Sequence, residues 1–234
     1  MKNNEVINFK KSRSGPELDL VDAFLSSYQR IFDFEGYEVS TLIEPYINGS
    51  NPDILFIIWD SNLCRYWKPE RNDLSKDDIK INHYISTFGK RGVLKQKISE
   101  SINYTDSFVQ RSLYRLDHAG LIKYRNGRAV SYDLDKSFFI KKIISVEAKI
   151  ANWKEAVQQA LLNQNFASHS YVLLPYEKIN SSIEEAFDKN IGLLGFNSNR
   201  TVLRKKARKS KIPGSYYSWI LNEHLGRKCY NEYC

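Results

Sequence analysis

The sequence predicts an α/β fold interrupted by a mostly helical insert, so that a second domain is nested within the first. Three observations predict it. Compact apolar runs that read as buried strands, ILFIIW, IISV and SYVLLP, occur only before and after the insert. Helix-period stretches stand beside them at 16–36 and 151–166. Between about Lys76 and Leu134 the pattern changes to three helices followed by two short strands around a glycine. The expected division is residues 1–72 and 137–234 for the two parts of the core, with 73–136 as the insert.

The elements follow in order. In PELDLVDAFLSSYQRIFDFEG, Leu18, Val21, Phe24, Leu25, Tyr28, Ile31 and Phe32 recur at helical spacing, with Pro16 in a first-turn position and Gly36 as the stop. YEVSTLIEPY then reads as extended, a Gly49-Ser50-Asn51 turn follows, and ILFIIW is a fully apolar strand. RYWKPERNDLSKDD looks exposed. VLKQKISESIN suggests a short helix, and an Asn-Tyr-Thr-Asp start opens another carrying Phe108, Val109, Leu113 and Leu116. IKYRNGRAVSYDL reads as a hairpin turning at Asn126-Gly127, a strong two-residue turn signal. Beyond it, FFIKKIISVEAKI is a strand, ANWKEAVQQALLNQNF a helix, and SYVLLP a buried strand.

Composition narrows the function classes. Among 234 residues, 42% are hydrophobic and 13% aromatic, enough for a real core and too much for a disordered chain. Lys and Arg number 35 against 27 acids, and the net charge of +8 favours an anionic partner. The longest apolar run, Ile54 to Trp59, is far short of the ~20 residues a bilayer requires. The N-terminal stretch has no apolar signal core, so a soluble, cytoplasmic protein with no membrane partner is expected. Cys64, Cys229 and Cys234 form neither an even set nor a CxxC pair, which argues against a disulfide framework and a zinc knuckle. His83, His118, His169 and His224 are scattered, and no Gly-rich phosphate loop points to ATP hydrolysis.

Within the insert, helix, turn, helix and basic hairpin resemble the winged helix-turn-helix family, and RSLYRLDHAGLIKY carries the resemblance. Eleven basic residues stand against seven acids between Lys76 and Asp135. A helix ~10–12 Å across fits the B-DNA major groove. Ser107, Gln110, Arg111 and Tyr114 are the expected readers on it, with Arg115 a further cation, while Arg125 and Arg128 of the wing reach phosphates or the minor groove. Use of the same module for protein contacts is the competing reading.

The chemical signal lies in the flanking segments. Pro52-Asp53 heads one apolar strand and Glu147-Ala148-Lys149 ends another, and residues i and i+2 of a strand share a face. Two carboxylates with an adjacent ammonium suit metal-assisted phosphodiester hydrolysis, in which hard oxygen ligands hold Mg²⁺ and a cation neutralises phosphate charge. PD followed by EAK resembles the PD-(D/E)XK nuclease superfamily over residues 14–59 and 138–175. Ser14-Gly15-Pro16-Glu17 before a helix and EGYEV after it resemble resolvase-like members, and Ala156, Gln159 and Ala160 match an A-x-x-Q-A helix.

The resemblance implies a restriction-endonuclease-like mixed sheet flanked by helices, with the winged helix inserted. It implies Asp53 and Glu147 as Mg²⁺ ligands, with Mn²⁺ as a substitute ion and the Ala148 carbonyl as a further ligand. It also implies Lys149 acting on the attacking water, Glu17 supporting a metal, and Gln159 orienting water or phosphate. Asp19 and Asp22 compete with Glu17, and Gln158 with Gln159. Arg200 to Lys211 carries seven basic residues and no acid, so Arg204, Lys205 and Lys206 are expected at a nucleic-acid backbone. The expected function is a metal-dependent DNA endonuclease, acting in restriction, phage defence, mobile-element or junction processing, as a homodimer or a subunit of a larger complex. A non-catalytic winged-helix DNA-binding regulator on a nuclease-like core is the alternative.

Overall fold

A computed structural model describes residues 4–9, 15–28, 31–32, 34, 36–47, 50–187, 190–197 and 200–233; Ser14, Glu35, Gly49 and Cys234 lie outside the described residues. The elements before the insert are β1 (Asn4–Asn8), α1 (Pro16–Leu25), β2 (Glu38–Ile43) and β3 (Ile54–Trp59). Next come α2 (Lys76–Thr87), α3 (Lys95–Ile102), α4 (Asp106–His118), β4 (Ile122–Arg125), β5 (Arg128–Ser131) and α5 (Leu134–Ser137). The chain closes with β6 (Ile140–Ala148), α6 (Trp153–Asn163), β7 (His169–Pro175), α7 (Ser181–Ala186), β8 (Ile191–Asn197), β9 (Arg200–Lys205) and α8 (Tyr216–Tyr233). Two compact units result: Met1–Trp59 with Ile140–Gly214, and Asp60–Phe139 with Ser215–Cys234.

The first unit is a mixed seven-stranded sheet in the order β1-β2-β3-β6-β7-β8-β9, flanked by helices. β2 and β3 are antiparallel, as are β3 and β6, whereas β6, β7 and β8 run parallel. Parallel neighbours need a crossover, and α6 supplies the one between β6 and β7. Strand alternation divides the core between the two faces. Ile54, Phe56, Ile58, Ile144, Val146 and Ala148 join Leu20, Val21 and Phe24 of α1. Val172, Leu174 and Leu193 pack on Ala156 and Ala160 of α6.

Two features depart from the sequence reading. Helix α1 closes at Leu25 instead of running to Gly36, because the Ser26 and Ser27 hydroxyls donate back to the carbonyls of Ala23 and Phe24 (2.6 and 3.3 Å) and compete with the helical ladder. Tyr28 and Phe32 remain in the core nonetheless, packed on Phe56. Arg200–Lys205, the start of the basic run and not read as a strand, is edge strand β9, held by antiparallel pairing with β8.

The second unit is built by local rules. Ser75 and Asp78 form a reciprocal capping box at α2, and Thr105 caps α4. Val109, Leu113 and Leu116 of α4 are buried at helical spacing. Asn126 (φ 50°) and Gly127 (φ 71°) occupy the left-handed region that the tight β4–β5 turn requires. Val93 bridges Ala129, adding a short third segment beside the hairpin. Residues 60–72 and helix α8 also belong to this unit, although the sequence reading placed both with the core. The reason is a buried ion pair. Arg71 donates to both oxygens of Glu223 on α8 (2.9 and 2.5 Å), to the Ser137 carbonyl (3.0 Å), and stacks on Trp67. Cys64 and Cys229 are joined as a disulfide with Cα atoms 6.2 Å apart, a single bridge where the cysteine count argued against a disulfide framework. Folding, not spacing, brings the two together.

Candidate active site

The antiparallel register of β3 and β6 puts Ile54 opposite Val146, so the next rung places Asp53 beside Glu147. Both face the α6 side of the sheet, since Ile54 and Val146 face α1. An Asp53 carboxylate oxygen accepts from the Ala148 backbone N–H at 2.7 Å. That N–H, rather than the expected carbonyl, is the contact the structure gives Ala148 in the site. Glu147 is 2% exposed, and an oxygen of its carboxyl accepts from the Asn163 side-chain amide at 2.5 Å. Asn163 is held in turn by the Ser50 hydroxyl, which donates to its Oδ1.

These two carboxyls are out of their ordinary range. Burial pushes Asp53 up to about 6, only partly countered by the Ala148 N–H and Lys149, with Glu17 and Glu44 adding to the rise. Burial, then the Asp53 charge, pushes Glu147 up to about 8, against the opposing effects of Asn163 and Lys149. Lys149 donates to a Glu17 carboxylate oxygen at 3.2 Å, with the two side chains 16% and 50% exposed. Burial acts against the Lys149 charge, yet Glu17 and Asp53 hold its pKa above the ordinary lysine value. Lys149 is therefore a cation at neutral pH.

Asp53, Glu147, Lys149 and Glu17 thus converge as the sequence reading expected. Glu17 enters as the partner of Lys149, and among the described residues no three His, Cys, Asp or Glu side chains are grouped to hold a metal ion. On α6, Gln159 has a buried Oε1 without a hydrogen-bond partner, while Gln158 is exposed. Sequence reasoning missed two residues. Asn163 sits at i+4 from Gln159 and i+7 from Ala156, so its place on the buried face of α6 was available from spacing. Glu44 has φ 48°, its N–H donates to the Asp53 carbonyl (2.9 Å), and no sequence signal marks it.

The expected nucleic-acid contacts separate into two groups. Ser107, Gln110, Arg111 and Tyr114 share one exposed face of α4, and Arg125 and Arg128 are exposed on the hairpin. Arg115 instead holds Asp78, fully buried on α2, through two hydrogen bonds (3.1 and 2.6 Å), so it serves the fold. Near the C-terminus, Arg204 binds Glu184 (2.6 Å) and Tyr176, and Lys205 donates to the Phe187 carbonyl (2.7 Å). Lys206 remains exposed.

Among the described residues, no helix is long and apolar enough to cross a membrane. No protein-family model matches the chain, and no curated protein matches it. A solved structure, a protein of unknown function from Silicibacter pomeroyi, is similar at 15% identity and a TM-score of 0.28, covering 48% of this chain and 80% of its own.

Proposed function

We propose that the chain is a metal-dependent DNA endonuclease of the PD-(D/E)XK kind, and that its second unit is a winged helix that binds DNA. The observation that carries the reading is the pairing of half-buried Asp53 with buried Glu147 beside cationic Lys149, at the ends of neighbouring antiparallel strands. The chain order supports it: α1, then β2, β3 and β6 as antiparallel neighbours, then crossover α6 to parallel β7. For the second unit, support comes from the exposed polar face of α4 beside an exposed basic hairpin.

A divalent cation fits this site. Burial and mutual repulsion raise both carboxyls, and a 2+ charge between them opposes both effects. Asp53 and Glu147 would hold Mg²⁺, or Mn²⁺ in its place, which would lower the pKa of a bound water and offset charge developing on the phosphate. The chain's own residues position the rest. The Ala148 N–H and the Asn163 amide orient the two carboxyls. Lys149, protonated through its pairing with Glu17, offers charge to the phosphate rather than a base. Gln159 brings an unpartnered carbonyl oxygen suited to orienting a water.

Each centre hydrolyses one phosphodiester, so a double-strand break calls for a dimer or a partner subunit. The non-catalytic regulator is favoured by one observation, the lack of a three-ligand acidic group among the described residues. Plasmid cleavage decides between them. The wild type should cut with Mg²⁺ and not in EDTA, and D53N and E147Q should lose at least about 100-fold in rate while still binding DNA. Binding without cleavage under Mg²⁺ or Mn²⁺ would establish the regulator instead.

A further inference from the structure

The basic run beyond β9 is not a loose tail. Ala207, its single apolar residue between Lys205 and Lys211, is 4% exposed and lies in the core cluster with Tyr171. The Ala207 N–H donates to the Tyr171 hydroxyl. Gly192 on β8 makes this approach possible, since a Cβ there would stand 2.2 Å from the Tyr171 ring and 2.8 Å from the Ala207 nitrogen. Three residues on, the Ser210 N–H donates to the Ser168 carbonyl at 2.7 Å. Ser168 is itself fully buried, and its hydroxyl both donates to the Ile143 carbonyl (2.9 Å) and accepts from the Ile143 N–H (3.0 Å). Two pins therefore hold the segment against the start of β7. Between and beside those pins, Lys206, Arg208, Lys209 and Lys211 are exposed.

His169 reports the field this strip creates. With the Ser168 hydrogen committed to Ile143, the 2.9 Å contact between Ser168 Oγ and His169 Nδ1 requires the imidazole to donate from Nδ1. Nε2 then carries the lone pair. Burial first, and then the charges of Lys142, Lys209 and Lys206, push His169 down to about 4. The charged groups facing it are all cations, from β6 on one side and from the strip on the other.

We propose that Lys206–Lys211 is a preformed binding strip for the phosphate backbone of duplex nucleic acid, on the core unit and separate from the carboxylate pair. Glu147 pairs with Val172, three residues along β7 from His169, or about 10 Å at ~3.3 Å per residue. Glu147 faces α6, whereas Ala207 lies in the core on the α1 side, so the strip contacts phosphates other than the one to be cleaved. Phosphates match the chemistry. Four exposed cations with no intervening acid lie on a fixed backbone, so little ordering entropy is lost on binding. A membrane surface is a poorer match, because Ala207 is turned inward and leaves no apolar side chain in the strip for a bilayer.

The proposal rests on the DNA reading above but is tested without cleavage. Fluorescence anisotropy with a labelled duplex in EDTA, from low to high salt, compares wild type with K206A/R208A/K209A. All three residues are exposed, so the variant keeps its pins and its core. The slope of log K against log salt should fall by about 0.9 per lost contact, roughly 2.7 in all, with affinity reduced at least tenfold at physiological salt. Independently, the His169 ring pKa followed by NMR in the wild type should rise when the duplex is added, because phosphate offsets the lysine charges. An unchanged slope in the variant, or a His169 pKa that stays put at saturating duplex, overturns the proposal. So does a variant that loses binding to phosphatidylserine vesicles while its duplex affinity is unaltered. Loss of cleavage with strip binding intact would count against the nuclease reading alone.

Discussion

Replacing Glu147 by Gln keeps the shape of the side chain and removes its charge. In the absence of divalent metal, the native state holds a proton on Glu147 up to about pH 8, whereas the unfolded chain releases it near the ordinary value of 4.5. The native state thus binds more protons across this window, so stability falls as pH rises from 4.5 and levels off above about 8. At ~1.4 kcal/mol per tenfold change in proton affinity, the full penalty is on the order of 3–5 kcal/mol. Asp53, also raised, adds in the same direction between its ordinary 3.8 and about 6. E147Q removes the Glu147 share, and for a chain of this length each kcal/mol is worth roughly 2–4 °C. In EDTA at pH 9, E147Q should therefore melt about 6–20 °C above wild type, with the two nearly equal at pH 4.5. Adding Mg²⁺ at pH 9 should raise the wild type and leave E147Q where it was. Thermal melts by circular dichroism across pH 4.5–9 decide it. An E147Q protein no more stable than wild type at pH 9 would refute the idea that two carboxyls are forced together in a dry site.

Metal affinity should show the complementary trend, rising between pH 6 and pH 8 by up to roughly tenfold per unit for each proton displaced, as read by calorimetry; a flat profile would mean that neither carboxyl is a ligand. In the second unit, Glu223→Ala leaves Arg71, 1% exposed, as an uncompensated buried charge. It should cost about 3–5 kcal/mol in urea unfolding, and a loss below about 1 kcal/mol would show that the pair does not hold α8.

Much of the site was legible because its residues sit in strong local patterns. Pro52-Asp53 precedes six consecutive apolar residues, and Glu147 and Lys149 alternate with Val146 and Ala148 at the period of a strand. Those patterns place charges at strand ends whatever the rest of the chain does. The insert was legible for a similar reason: Asn126-Gly127 is a turn by its own chemistry, and Thr105 caps a helix by its own hydroxyl. Edge strands β1 and β9 carry no such signal. NEVIN and RTVLRK become strands through the neighbours they pair with, and a short mixed sequence does not state its partner.

What the sequence determined by itself was therefore the alternation of elements, the change of pattern between the sheet segments and the residue types placed at the strand ends. Which cations are available for a ligand was decided only by the tertiary structure. Arg115, Arg204 and Lys205 look in the sequence like Arg111 and Lys206, but the first three have found partners and the last two are exposed. The fate of α8 was decided the same way, since Glu223 meets Arg71 across 152 positions of sequence. Local propensity acts over a few residues, whereas a charge is satisfied by whatever the fold brings within hydrogen-bonding distance. Helical spacing put Asn163 on the buried face of α6, but its contact with Glu147, like that of Glu44 with Asp53, exists only in the folded sheet.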